Sequence, residues 1–222
     1  MIMVTGIGWW RREASGCLLS SKESKETGQG VFSSQFKNFG RLDRDSKAAA
    51  YAVALALKDA SMDYPLAPGL TAGICGGGPE GCLGADLLYF RDYVDCGRTL
   101  GRGNYFIYTL PTSPLAECAI HFGLEGPVLY AAGAPSPLAG PLECAMNAIG
   151  DAQADAMLAG FVSDDGAVFL LLSPPEKAGQ KNCLRPEDVM DVMKKRQGAN
   201  DMTGALGLLD NMIKERGIRT AV

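Results

Sequence analysis

Five short apolar runs punctuate the chain, and none is longer than a strand of a globular protein. Residues 1–5, 70–75, 128–132, 157–162 and 167–172 are apolar and bounded by Gly, Pro, Asp or Ser. Between several of them lie segments with helical periodicity. In the clearest, Ala49, Val53, Leu57 and Ala60 recur at helical spacing behind a cap at Asp45 or Ser46, and Asp63-Tyr64-Pro65 ends it. Ser113 as N-cap and Pro114 at the first helical position open another helix, with Leu115, Ala119 and Phe122 as its stripe. A third runs from the small-residue segment 133–140 to about Gly150. Asp164-Asp165-Gly166 reads as a hairpin turn joining the last two runs. Strands alternating with helices predict an α/β fold, a layered sheet covered by helices on both faces. The closing hairpin makes that sheet mixed. Glycine, at 28 of 222 residues, is nearly twice the usual share of about 7%, which points to tight turns and closely packed backbones.

Composition excludes several classes. Net charge is −4, with 21 Lys+Arg against 25 Asp+Glu, so neither nucleic acid nor an anionic membrane is an expected partner. No apolar run approaches the length of a membrane span, and the apolar start lacks the leading positive region of a signal peptide. Seven cysteines, an odd number with no CxxC, fit reduced thiols and a cytoplasmic location better than a disulfide framework. With one histidine, His121, and no Cys spacing to match it, no metal site or cofactor is expected. Residues 19–39 are Ser-, Lys- and Gly-rich and read as a surface loop. After Ser173-Pro174-Pro175 the character changes: residues 173–222 carry nine Lys/Arg and seven Asp/Glu. They hold two helices, 185–195 and about 202–216. The organisation predicted is an α/β domain over 1–172 with a helical extension over 173–222 packed on it.

Local motifs favour structural roles. Gly6-Ile7-Gly8 follows a strand, but Arg11 stands where a dinucleotide fingerprint needs its third glycine; a tight turn is the expectation. Residues 76–81 (Gly-Gly-Gly-Pro-Glu-Gly) lack a following Lys-Ser/Thr and are read as close backbone packing rather than an anion nest. Arg41-Leu42-Asp43-Arg44-Asp45 is read as a cap and salt-bridge network, His121 as structural, and each cysteine as a small core residue. Trp9 and Trp10, beside Arg11 and Arg12, are read as a loop packed on the body rather than an anchor for a partner.

Taken in order, several segments resemble the N-terminal half of the β-ketoacyl synthases of the thiolase superfamily. Met3-Val4-Thr5-Gly6-Ile7-Gly8 resembles their opening strand. Phe39-Gly40-Arg41-Leu42-Asp43-Arg44-Asp45-Ser46-Lys47, running into Ala60, resembles their first block and helix. Pro111-Thr112-Ser113-Pro114-Leu115 and Gly123-Leu124-Glu125-Gly126-Pro127 resemble the helix and turn before the active-site strand, and Ala154-Asp155-Ala156-Met157-Leu158-Ala159-Gly160 the strand after the nucleophile helix. The resemblance covers about residues 1–172. It implies decarboxylative acyl condensation, with a cysteine thiolate at a helix start as nucleophile. Counted from Pro127, that position holds Pro135, which has neither the thiol nor the backbone N–H that the family uses as an oxyanion donor. The histidines and lysine of the family's second half have no counterpart here, and Pro141 is expected to distort the following helix.

Three readings follow: a catalytically degenerate, chain-length-factor-like partner subunit in fatty-acid or polyketide-type biosynthesis; an acyl-transfer enzyme with a displaced nucleophile at Ser136, Cys118 or Cys144; or a stand-alone binder of acyl carrier protein or coenzyme A. The first is preferred. The resemblance also implies a homodimer, or a heterodimer with an active ketosynthase, paired through Val128, Leu129, Tyr130, Ala131 and Ala132. That edge carries neither charge nor proline. Apolar surface left by the absent second half is expected to stay partly uncovered, because the extension is highly charged.

Overall fold

The structure, a computed structural model, describes residues 1–20, 22–24, 28–66, 69–99, 101–132, 136–175, 183–195 and 201–218. The strands are β1 (Met3–Arg11), β2 (Ser15–Cys17), β3 (Lys22–Ser24), β4 (Ala72–Gly77), β5 (Val128–Tyr130), β6 (Ala156–Ser163) and β7 (Gly166–Ser173). The helices are α1 (Arg44–Asp59), α2 (Leu83–Asp95), α3 (Gly103–Phe106), α4 (Ser113–Phe122), α5 (Ala139–Gly150), α6 (Pro186–Lys195) and α7 (Met202–Glu215). One mixed sheet runs in the order β3-β2-β1-β7-β6-β4-β5. β4 is parallel to β5 and to β6, while β6–β7, β7–β1, β1–β2 and β2–β3 are antiparallel. The α/β layered architecture predicted from sequence is the one observed, including the hairpin at Asp164-Asp165-Gly166.

β1 is longer than predicted. Gly6 and Gly8 form no turn but lie within the strand, paired along β7. Their role is close approach: a Cβ on Gly8 would fall inside contact distance of the Ala52 carbonyl and the Ala56 amide of α1, and one on Gly6 would meet the Ala56 carbonyl. Trp9 and Trp10 therefore belong to the sheet rather than to a loop, and Trp10 stacks on Tyr51 at 5.2 Å between ring centres. α1 begins two or three residues earlier than expected. Its cap is Asp43, whose carboxylate accepts the Ser46 N–H at 2.8 Å. The small side chains of α1, six of them alanine, let it pack closely on the strands below and leave it buried over most of its length.

Helices cover both faces. α1 and α4 bury one face, around Ile74, Leu158, Phe169 and Leu171. α5, α6 and α7 cover the other, over Met157, Phe161, Leu170 and Leu172. The charged extension is thus a better cover than its composition suggested. Val189, Met193, Met202, Ala205, Leu209 and Ile213 lie buried on its inner face, while Lys194 and Asp210 pair outward with Glu143 and Lys214. Pro141 does not break α5. It is the third residue of the helix, where an N–H has no intrahelical acceptor to lose. The 19–39 segment is also more than a surface loop: Val31, Phe32 and Phe36 are buried against α1 and α4.

Asp59, at the end of α1, ties the layers together. Its buried carboxylate accepts N–H groups from Ile7 (2.9 Å), Leu19 (3.0 Å) and Ser20 (2.9 Å). Burial pushes its pKa up, opposed by those hydrogen bonds.

Candidate functional site

β4 has β5 on one side and β6 on the other, and the chain crosses from β5 to β6 over it. In open α/β sheets a crevice forms at such a switch point, beyond the carboxyl ends of the strands. Here Gly76 and Gly77 end β4, Tyr130 ends β5 and Val162 lies near the end of β6. They meet Asp45 of α1 and Pro114 of α4 around a narrow space of about 20 Å³. The glycines hold it narrow. A Cβ on Gly76 would press on Leu115, and one on Gly77 would meet the Pro137 carbonyl and the Pro141 ring. The reading of 76–81 as close packing therefore holds at both positions. The Tyr130 hydroxyl donates to the Gly78 carbonyl at 3.2 Å, joining the end of β5 to the root of α2.

Asp45 also lines a larger, adjoining cavity of about 560 Å³, within the range of small-molecule pockets. Its apolar wall comes from Leu83, Leu87, Tyr105 and Tyr108, and its polar rim from Arg44, Glu80 and Asp164. Arg44 bridges Asp45 (2.9 Å) and Asp164. The expected cap and salt-bridge network at 41–45 is thus present. Burial pushes the Asp45 carboxyl above its ordinary value, opposed by Arg44. Sequence did not single out Asp45 as a site residue. Its only signal was membership of the charged cluster before a helix.

The predicted site residues are dispersed. Pro135, with residues 133 and 134, lies outside the described residues. Ser136 follows it and is buried, and its Oγ has no hydrogen-bond partner among the described residues. Cys144 is more than a turn along α5 and half-buried, beside Cys75 of β4, whose thiol is pushed up to about 12, first by burial and then by Cys144. Cys118 is fully buried in α4, and burial raises its thiol pKa, which disfavours the thiolate a nucleophile needs. His121 is at the opposite end of α4 from the crevice. It stacks on Phe36 at 3.7 Å and contacts Phe32, Tyr64 and Phe122 edge-on. Burial lowers its pKa. The structural reading of His121 fits this placement. β5 is the edge strand, three residues long against the five expected, with Val128 and Leu129 about one-third exposed. Among the described residues there is no metal-binding cluster and no helix long and apolar enough to cross a membrane.

The mixed sheet between two helical layers is shared with solved structures of ketosynthases and chain length factors. Solved structures of that class superpose on most of the chain. The AntDE:AntF complex, a type II PKS acyl-carrier protein with its ketosynthase bound to the hexaketide, matches at a TM-score of 0.60 and 16% identity. That match covers 82% of this chain and 65% of its own. The ishigamide ketosynthase/chain length factor matches at 0.57 and 15%, covering 79% and 62%. A beta-ketoacyl synthase from Burkholderia phymatum STM815 matches at 0.57 and 16%, covering 80% and 60%. At these identities the likeness is one of fold, and the chain spans less than two thirds of the length of each. No family model matches the sequence, and no curated protein matches it.

Proposed function

We propose that this chain is a ketosynthase-like, non-catalytic subunit of fatty-acid or polyketide-type biosynthesis, acting in the cytoplasm as a chain-length-factor-like partner of an active ketosynthase. The observation that carries the reading is Pro135, in a chain of ketosynthase fold, at the sequence position where the resemblance puts the nucleophilic cysteine. Proline supplies no thiol and no N–H for an oxyanion. The residues that could replace that cysteine add little support for catalysis: Ser136 is buried with no hydrogen-bond partner among the described residues, Cys118 is buried in α4, and the single histidine is one helix length from the crevice. The partner reading is supported by neighbours in which a ketosynthase is joined to a chain length factor or an acyl-carrier protein. It is also supported by the exposed β5 edge, which pairs with a second copy when the chain is alone and with a ketosynthase in the cell.

The test combines three measurements. Incubation with acyl and malonyl thioesters leaves the intact mass unchanged. Affinity capture from the native organism recovers a ketosynthase or carrier protein. Pro135→Cys gains no turnover, because the single histidine, His121, stands at the far end of α4 from the crevice. Condensation by the purified chain, abolished by one substitution, overturns the proposal.

A further inference from the structure

The cavity of about 560 Å³ lies between the start of α1 and the α2–α3 segment. The apolar stripe of α2 opens with Leu83 and Leu87, one turn apart, and both give onto this cavity together with Leu88. α2 has no buried residue, and these three leucines are each about half exposed, so the cavity rather than the core is where they can lose water. Tyr105 and Tyr108 complete the wall. The wall is held in shape. The Tyr108 hydroxyl donates to the Arg41 carbonyl at 3.3 Å, the Cys82 thiol reaches the Thr109 carbonyl at 3.2 Å, and Asp92 accepts the Arg102 backbone N–H at 2.8 Å. A preformed cavity of ligand size spares its occupant the cost of ordering it.

The rim selects the ligand. It carries four carboxylates, Asp43, Asp45, Glu80 and Asp164, against two guanidinium groups, Arg41 and Arg44, an excess of two negative charges. Arg44 is already engaged by Asp45 (2.9 Å) and Asp164. Asp43 uses one oxygen to cap α1, and Glu80 is exposed. Burial raises the Asp45 carboxyl, Arg44 opposes it, and the charges of Asp43 and Asp164 raise it further. A cation at this rim relieves the crowding of like charges, and an anion adds to it. We infer that the cavity binds a small organic monocation, an amine carried on an apolar body: the leucines and tyrosines take the body, and the acidic rim takes the ammonium. Carboxylates and phosphates are repelled by the same rim. The inference goes beyond the subunit reading above and stands without it, since every group it uses belongs to one chain.

Three ligands sharing an indole body test it: tryptamine, a cation; tryptophol, neutral; and indole propionate, an anion. Titration of the full chain at low salt, followed by nuclear magnetic resonance, reads their affinities. Tryptamine binds with a dissociation constant of about a millimolar or tighter. That is about ten-fold below the value for tryptophol, and indole propionate binds weakest. High salt removes most of the preference. Glu80→Gln combined with Asp164→Asn, both at exposed positions, balances the rim charge and brings tryptamine to the affinity of tryptophol. Should that variant fail to fold, the salt dependence of the wild type reads the same charge. Ala85 lines the cavity, and Ala85→Trp fills it, weakening tryptamine and tryptophol about ten-fold or more. Leu87→Trp blocks it in the same way if Ala85→Trp does not fold. Equal affinity for tryptamine and tryptophol overturns the inference, as does tighter binding of indole propionate. So does the absence of saturable binding at tens of millimolar, or binding indifferent to the blocking substitution. Each of these outcomes leaves the subunit reading untouched.

Discussion

Replacing Asp59 by alanine tests how the end of α1 is fastened to the sheet. The carboxylate accepts three backbone N–H groups, from Ile7 inside β1 and from Leu19 and Ser20 just after β2. Ile7 is fully buried and Leu19 nearly so, whereas Ser20 is exposed. Without the carboxylate, Ser20 turns to water, and the other two donors have no acceptor in reach. A buried donor left unsatisfied costs about 1–3 kcal/mol, so the pair costs about 4 kcal/mol. That is a large fraction of the 5–15 kcal/mol by which domains are stable. For a chain of this length it lowers Tm by about 10 °C. Asp59→Asn can set its amide oxygen at the Oδ2 position, where it accepts both Ile7 and Leu19, and turns its NH₂ only toward the exposed Ser20 N–H, so it recovers more than half the loss. Thermal unfolding followed by circular dichroism reads both variants against Asp63→Ala, an exposed acid four residues on. A Tm for Asp59→Ala within about 2 °C of wild type refutes the assignment of these hydrogen bonds as the fastening of α1.

Two further outcomes follow from the packing and the aromatic cluster. Gly8→Ala forces a methyl into the α1 backbone at Ala52 and Ala56, and overpacking against backbone that cannot yield costs about 3 kcal/mol or more in urea unfolding, against a negligible change for Gly84→Ala in open space. His121 has its pKa lowered by burial among aromatic rings, so the unfolded chain takes up a proton at a higher pH than the folded one. Its contribution is fully present above the unfolded value near 6.5 and is lost as pH falls below it. The expected result is a Tm that drops between pH 7 and pH 5 by more in wild type than in His121→Phe; equal slopes contradict it.

Much of the fold was legible in the sequence because its signals are local. The runs that became β4, β6 and β7 alternate with turns, the Asp164-Asp165-Gly166 hairpin is fixed by three residues, and α6 and α7 show helical periodicity despite their charge. The resemblance to ketosynthases was likewise visible in the order of short blocks, and it put Pro135 at the family's nucleophile position. What the sequence could not supply is whatever depends on a partner distant along the chain. Gly6 and Gly8 look like a turn until α1 is laid across them. Asp43 caps α1 because the chain enters from an extended residue, which no composition rule distinguishes from a start at Asp45. The α2 stripe has the period of a core helix, and only the tertiary structure shows that no core lies beneath it. The same holds at the crevice: Asp45, Gly76, Tyr130 and Val162 are separated by tens of residues, and it is the crossover of β5 and β6 about β4 that brings them together. Periodicity is set by neighbours three or four residues away and survives in sequence; burial, close approach and site geometry are set by long-range contacts, and these exist only once the layers have packed.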